Sequence, residues 1–325
     1  MTPQKNSILP PPAGKTGWPW ISELPVAEAI RQNLPKITIV TPSYNQGEFI
    51  EETIRSVLLQ GYPNLEYIIM DGGSKDNTVE IIKKYSDHID FWLSEKDRGQ
   101  SHAINKGIAR CTGEIFNWIN SDDLLMPGAL RAVAKAWQQN PDTIISGSTE
   151  IFDHSGTLSL VKASGQNLRN FVRFWEAPDF QWTQQATFIP LVDVKVVGGL
   201  REELIYCMDY DLMVKVLMRG RPVTYTDQVL ARFRSHALSK TIGAKKNFRL
   251  ERVNALRQIK NLPIKVMPCE WDAEQARRMV DMARHAWKGG EHVRAMKWLS
   301  NAFTINAKGA MGEMRLRTRK KLMQA

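Results

Sequence analysis

Cysteine is scarce: Cys111, Cys207 and Cys269 are all that 325 residues contain. No two are spaced as a zinc or C-x-x-C redox motif, so they read as reduced thiols in a reducing compartment. Long apolar runs are absent as well. None approaches the ~18 residues that a membrane-spanning helix needs. The N-terminus lacks the basic-then-apolar pattern of a secretory signal, which makes a cytoplasmic location the expectation. Glycine is not clustered where nucleotide folds use it. No G-x-G-x-x-G follows the first strand-like run, and no G-x-x-x-x-G-K occurs. A Rossmann dinucleotide site and a P-loop are therefore set aside.

What is present suits a packed fold, with 43% apolar and 24% charged residues. The net charge of +10 is unevenly held. Residues 244–325 carry 19 Lys and Arg against 7 Asp and Glu, whereas residues 1–243 carry 25 against 27. A basic segment of this kind attracts anionic lipid, nucleic acid or an acidic partner, unless it is only a solvated helical face. Three regions follow: an extended arm over 1–35, a main domain over 36–243 and a basic helical region over 244–325. Pro10-Pro11-Pro12 favours extension in the arm. Trp18 and Trp20 are costly to leave in water, so the arm is expected to pack on the main body.

From Lys36 onward strand-like and helix-like patterns alternate. Lys36–Thr41, Leu65–Met70, Phe91–Ser94 and Glu114–Asn120 read as strands. Glu48–Gln60, Thr78–Tyr85, Ser101–Ala109 and Ala129–Gln139 read as helices. That alternation predicts a parallel sheet flanked by helices. Further on, Thr143–Ser146, Ala186–Pro190, Val223–Thr226 and Val229–Phe233 read as strands. Val192–Val197 and Asp209–Arg219 read as helices, and residues 274–305 as a helical hairpin turning at Gly289-Gly290. The four early strands each end in a polar or Gly-rich loop: Thr41–Asn45, Asp71–Ser74, Ser94–Gly99 and Asn120–Asp123. In parallel sheets such loops build one ligand crevice. Trp118-Ile119-Asn120-Ser121-Asp122-Asp123 is the centre of it, an apolar strand end followed by two adjacent carboxylates. Paired carboxylates with a phosphate-bearing substrate suit a hard divalent cation.

These motifs, in this order, resemble glycosyltransferase family 2, the inverting GT-A enzymes that use nucleotide-sugars. The resemblance covers about Lys36 to Thr241. It rests on Val40-Thr-Pro-Ser-Tyr-Asn45, Asp71-Gly-Gly-Ser-Lys-Asp76, Asp97-Arg-Gly-Gln100, Asn120-Ser-Asp-Asp123, Gln185-Ala-Thr-Phe188, Met208-Asp-Tyr-Asp-Leu212 and Arg234-Ser-His236. The resemblance implies a GT-A α/β fold with a mainly parallel sheet, carrying here a basic helical C-terminal extension. It implies a nucleotide pocket lined by Thr41, Pro42 and Tyr44, a base-reading carboxylate at Asp71, and nucleotide contacts from Asp97 and Lys106. Asp122 and Asp123 match the metal and ribose carboxylates, both candidates for the metal and Asp122 also for the nucleotide-sugar, with His236 completing the shell around Mg²⁺ or Mn²⁺. Asn120 stands where the first Asp of the common Asp-x-Asp often sits, which leaves open which Asp holds the metal. Asp209 matches the catalytic base. Gln184, Gln185, Trp175 and Trp182 fall on the expected acceptor side.

The implied function is transfer of a sugar from a nucleotide-diphosphate donor to a hydroxyl of a glycan or lipid-linked acceptor, in bacterial cell-surface polysaccharide synthesis. The basic tail adds an expectation of peripheral contact with the anionic inner face of the membrane, and no specific nucleic-acid module is recognised in it. Two alternatives stand beside this reading. One is a nucleotide-sugar pyrophosphorylase-like enzyme, for which Thr41–Asn45 lacks the glycines and Arg. The other is a non-catalytic protein that binds through its basic tail.

Overall fold

The run Ile37–Ser43 has every residue buried, as a strand covered on both faces requires. In the computed structural model it forms β1, the middle of a parallel set. The model describes residues 9–21, 33–174, 177, 179–236, 245–263, 268–303, 306 and 311. β2 (Leu65–Asp71) pairs parallel on one side of β1 and β4 (Ile115–Trp118) on the other, while β3 (Phe91–Ser94) extends the set beyond β2. Helices α1 (Ile50–Leu58), α2 (Thr78–Lys84) and α3 (Gln100–Arg110) make the crossovers. α3 lies very close to β1: a Cβ on Gly107 would meet Val40 Cγ1 at 2.7 Å, so only glycine permits this approach.

Beyond β4 the sheet changes character. β5 (Leu124–Leu125), α4 (Ala129–Gln139), β6 (Ile144–Asp153), β7 (Gly156–Val161), α5 (Leu168–Val172), β8 (Thr187–Pro190), α6 (Leu191–Val196), α7 (Met208–Leu217) and β9 (Val223–Arg234) follow. Among the described residues the nine strands run in the order β3-β2-β1-β4-β8-β6-β9-β5, with β7 on β6. β8 is antiparallel to both β4 and β6, whereas β6 and β9 are parallel. One core cluster joins Ile37, Ile39, Ile54, Val57, Ile69, Ile119, Leu125, Leu130 and Phe188. Each such fully buried aliphatic side chain contributes about 1.5–3 kcal/mol.

Element types match the sequence pattern, most ends shift by one or two residues, and three strands differ in ways that shape the sheet. β4 stops at Trp118 rather than Asn120, so Ile119–Asp123 is loop. The two strands expected over 223–226 and 229–233 are one, Val223–Arg234, with its irregularities taken up in the register with β6 around Ser146–Thr149. The strand expected at Thr143–Ser146 runs on to Asp153 and makes a hairpin with β7.

The arm packs as its tryptophans required. Trp18 Nε1 donates to Leu125 O at 2.8 Å, and Trp20 is buried. Arg55 of α1 is 2% exposed, a costly place for a cation. The arm satisfies it: Arg55 donates to Leu9 O, Pro19 O and Trp20 O, and also to Tyr85 Oη. The Trp20 ring lies 5.5 Å from its guanidinium carbon.

The chain divides into two compact units, Met1–Ala255 and Leu256–Ala325. Helix α8 (Lys245–Gln258) belongs mostly to the first. In the second, α9 (Pro268–Lys288) and a helix over residues 292–303 turn at Gly289-Gly290, around a small core of Ala276, Val280 and Ala302. No helix of the described residues is long and apolar enough to cross a membrane.

Candidate active site

The register of the parallel set places four strand ends in one layer. Ser43 stands beside Asp71, Asp71 beside Ser94, and Ile119 N donates to Val40 O. The strand order reverses between β1 and β4, the switch point at which α/β sheets open a ligand crevice. The loops 44–49, 72–76, 95–99 and 119–123 leave from this edge.

Asp71 ends β2 fully buried. Its Oδ2 accepts from Gly73 N, Ser74 N and Ser94 Oγ, and its Oδ1 from Ser74 Oγ. The carboxylate thus builds the loop from within. Asp97 lies against that loop: its Oδ2 is 2.7 Å from where a Gly72 Cβ would stand, and its Oδ1 accepts from Gly99 N. Lys106 Nζ pairs with Glu95 at 3.1 Å. Thr41 is buried with its hydroxyl 3.1 Å from Tyr67 Oη, and Pro42 is buried beside it. Tyr44 is 56% exposed. Asp76 precedes the N-cap of α2, Asn77, whose side chain makes no capping bond; the Asp76 carboxylate instead ties the turn together, accepting from Thr78 N, Thr78 Oγ1 and Gly47 N. The hydroxyl of Ser43 is buried at this edge without a hydrogen-bond partner. Ser43 falls within the Val40–Asn45 motif, but the motif gave its hydroxyl no role.

The two adjacent carboxylates have opposite surroundings. Asp123 is fully buried. Its Oδ1 accepts from Arg234 N at 3.0 Å, and its Oδ2 from Gln185 Nε2 at 3.0 Å and Asn120 Nδ2 at 3.1 Å. Burial and the neighbouring Asp122 charge push its carboxyl upward, against those donors. Asp122 is partly exposed, and His236 Nε2 lies 2.9 Å from its Oδ2. Arg234 ties the loop together, with Nε on Asp122 O and its terminal nitrogen on Glu52 at 2.5 Å. α1 holds the same loop from behind, through Thr53 Oγ1 on Asp123 O and Leu125 N on Ser56 Oγ. Gln100 Nε2 donates to Asn120 Oδ1, which orients the Asn120 amide toward Asp123.

No group of three or more His, Cys, Asp or Glu side chains converges among the described residues. Of the two adjacent carboxylates, Asp122 alone is partly exposed, the donor type that a hard divalent cation shares with phosphate oxygens and water, and the His236 imidazole stands beside it.

Asp209 opens α7. Burial pushes its carboxyl up to about 6, partly offset by the Tyr210 N–H and by Arg252. Asp211 is turned away, buried between Arg201 at 2.7 Å and Lys215 at 2.9 Å. The loop before α7 is tied to the crevice edge. Glu202 pairs with Arg98, and the Asn105 amide exchanges two hydrogen bonds with the Leu200 backbone. From the other side Phe171 packs both Tyr210 and Trp182, at ring centroids of 5.4 and 5.2 Å. Trp182 leads directly to Gln184, which donates to Asn117 Oδ1 and Trp118 O, and to Gln185 on Asp123. Trp175 lies outside the described residues.

A model described as glycosyl transferase family 2 matches residues 38–191. An uncharacterised glycosyltransferase of Rickettsia prowazekii is 30% identical over 219 residues, 65% of this chain and 68% of that protein. The poly-β-1,6-N-acetyl-D-glucosamine synthase of Staphylococcus epidermidis is 28% identical over 144 residues, 43% of this chain and 35% of that protein. The chain spans about a third of the length of the first curated relatives that it matches, 35% and 34%. The crystal structure of S. aureus TarS 1-349 in complex with UDP-GlcNAc superposes with a TM-score of 0.58 at 15% identity, over 87% of this chain and 92% of that one. The mixed sheet and its flanking helices are those of the GT-A fold, and the chain belongs to glycosyl transferase family 2.

Proposed function

We propose that the protein is a metal-dependent, inverting glycosyltransferase that moves a sugar from a nucleoside-diphosphate donor to a hydroxyl acceptor in cell-surface polysaccharide synthesis. The observation that carries this reading is the split between the two adjacent carboxylates. Asp123 is consumed by protein hydrogen bonds, while Asp122 faces outward with an imidazole beside it. In this reading Asp122 and His236 hold Mg²⁺ or Mn²⁺, and Asp123 holds Asp122 in place. Bound there, the cation compensates the charge that gathers on the departing diphosphate.

The chain's own residues do the rest. Asp209 accepts the proton of the acceptor hydroxyl as that oxygen attacks the anomeric carbon. The bond from carbon to phosphate oxygen breaks on the opposite face, which inverts the centre. A carboxylate near pKa 6 is ionised at neutral pH yet still basic enough to take the proton. Nucleotide recognition falls to the loops around Ser43, Tyr44, Gly72 and Asp97. Asp71 shapes the pocket, and Thr41 and Pro42 support it from beneath. Lys106, paired with Glu95, stands at its rim. Relatives named for polysaccharide synthesis support the setting, and the UDP-GlcNAc bound by the TarS structure supports the donor class.

The test is a panel of UDP-, GDP- and dTDP-sugars scored for slow hydrolysis with Mn²⁺ and no acceptor. Hydrolysis of one class, silenced by chelation and by Asp122→Ala, is expected. Full turnover in excess chelator would rule the metal role out.

A further inference from the structure

Helix α8 lies well outside the stretch that the family model covers, yet it reaches the start of α7. Glu251 accepts three successive backbone N–H groups there: Ile205 at 2.9 Å, Tyr206 at 2.6 Å and Cys207 at 2.8 Å. Converging backbone N–H groups of this kind make an anion-binding nest. Here the anion is a side chain 44 to 46 residues downstream. Its charge also faces the positive end of the α7 dipole. Against the upward push of burial, these donors hold the Glu251 carboxyl below its ordinary range, so it stays ionised. The next residue, Arg252, lays its guanidinium over the rings of Tyr210 and Phe174, at 4.2 and 4.6 Å. Tyr210 is fixed from beneath, its hydroxyl donating to Phe171 O. The residues on both sides of Asp209 are thus held by α8: the backbone of 205–207 by Glu251 and the ring of Tyr210 by Arg252.

We propose that Glu251 and Arg252 are positioning residues for the transfer reaction, Glu251 fixing the backbone that leads into Asp209 and Arg252 fixing the ring of Tyr210, the residue after it. The proposal rests on the reading of Asp209 as the base. It assigns a role in the chemistry to a helix that lies beyond the residues the family model matches. The charged and titratable groups facing Asp209 are Arg252 and Glu251 from α8 and the Cys207 thiol just before α7. Of the helices that pack on α7, α5 carries Arg169 with Arg173 just after it, and α6 carries Asp193 and Lys195.

The test compares Asp209→Asn, Glu251→Gln, Arg252→Gln and Arg252→Lys in the full chain. Turnover of the hydrolysed donor is followed against donor concentration and pH. Glu251→Gln turns an acceptor into an amide that faces N–H donors, so the loop shifts. kcat is expected to fall ~10-fold or more with donor KM within twofold, because misplacement by about an ångström suffices for such losses. Arg252→Gln removes the favourable charge, so the acid limb of kcat moves to higher pH, and Arg252→Lys restores it. If Glu251→Gln fails to fold, which a melting curve shows, the two Arg252 variants decide. Should Asp209→Asn keep turnover within a few-fold of wild type, the base reading falls and the proposal with it. Should Asp209→Asn lose ~100-fold while Glu251→Gln keeps its kcat and Arg252→Gln keeps the wild-type pH profile, the proposal alone is overturned.

Discussion

Exchanging Asp122 and Asp123 one at a time for asparagine should separate a ligand from its holder. Asp123 accepts three N–H groups inside the protein, from Arg234, Gln185 and Asn120. An asparagine has one acceptor oxygen. If it faces the two side-chain amides, its own NH₂ meets the Arg234 N–H. One bond is lost and a buried donor stays unsatisfied, a cost of ~1–3 kcal/mol. The two surviving bonds weaken because the acceptor is no longer charged. Relief of the buried charge offsets part of this. A net loss of ~1–3 kcal/mol corresponds to a fall in Tm of roughly 3–9 °C for a unit of this size. Asp122→Asn should leave Tm within ~2 °C, because the side chain is partly exposed and its amide oxygen can still accept from His236. The same change removes the charge a hard cation needs, so Mn²⁺ affinity should fall more than the ~10–100-fold typical of a supporting residue. Thermal melting and Mn²⁺ titration by electron paramagnetic resonance give both numbers for both variants. A stable Asp123→Asn that has lost Mn²⁺, beside an Asp122→Asn that binds it normally, would refute the assignment.

Asp209→Asn should lower turnover by ~100-fold or more with donor affinity nearly unchanged, measured by hydrolysis against donor concentration. The kcat of the wild type should rise with pH through about 6, because the base must be ionised and burial has raised its carboxyl to that value. A profile flat from pH 5 to 8 would contradict it. Arg55→Gln should destabilise by ~2–4 kcal/mol in denaturant titration, because it strips donors from three arm carbonyls and from Tyr85. The basic segment 244–325 should take the full chain down with anionic vesicles but not neutral ones, and less so in high salt. Equal sedimentation with both, or none, would leave that segment a solvated face. Its terminal cluster Arg315, Arg317, Arg319, Lys320 and Lys321 lies outside the described residues.

The parallel half of the fold was legible because buried strands announce themselves as apolar runs closed by turn residues, as in Lys36–Thr41 and Leu65–Met70. β9 was read as two strands because Asp227 and Gln228 interrupt its pattern, whereas in the sheet they are carried by an irregular register opposite Ser146–Thr149. The carboxylate cluster was legible as a motif, but its division of labour was not. Which oxygen of Asp123 meets Gln185 or the Arg234 backbone depends on contacts 62 and 111 residues away. Asp71 likewise looks the same in sequence whether it reads a ligand or folds its own loop. Glu251 left no signal at all, since a single Glu in a basic helix resembles any solvated charge.

Arg55 and its acceptors also bear on where this protein begins as a folding unit. Similarity to the family starts at residue 38, and the first strand at Ile37. A fragment cut there would look complete by every measure of likeness to its relatives. It would also strip the Arg55 guanidinium of its acceptors at Leu9, Pro19 and Trp20, uncover the ground on which the arm packs, and leave Leu125 O, two residues past Asp123, without the Trp18 indole. The boundary drawn by homology and the boundary drawn by solvation therefore differ by some thirty residues. Only a recombinant chain that starts ahead of Leu9 keeps the second.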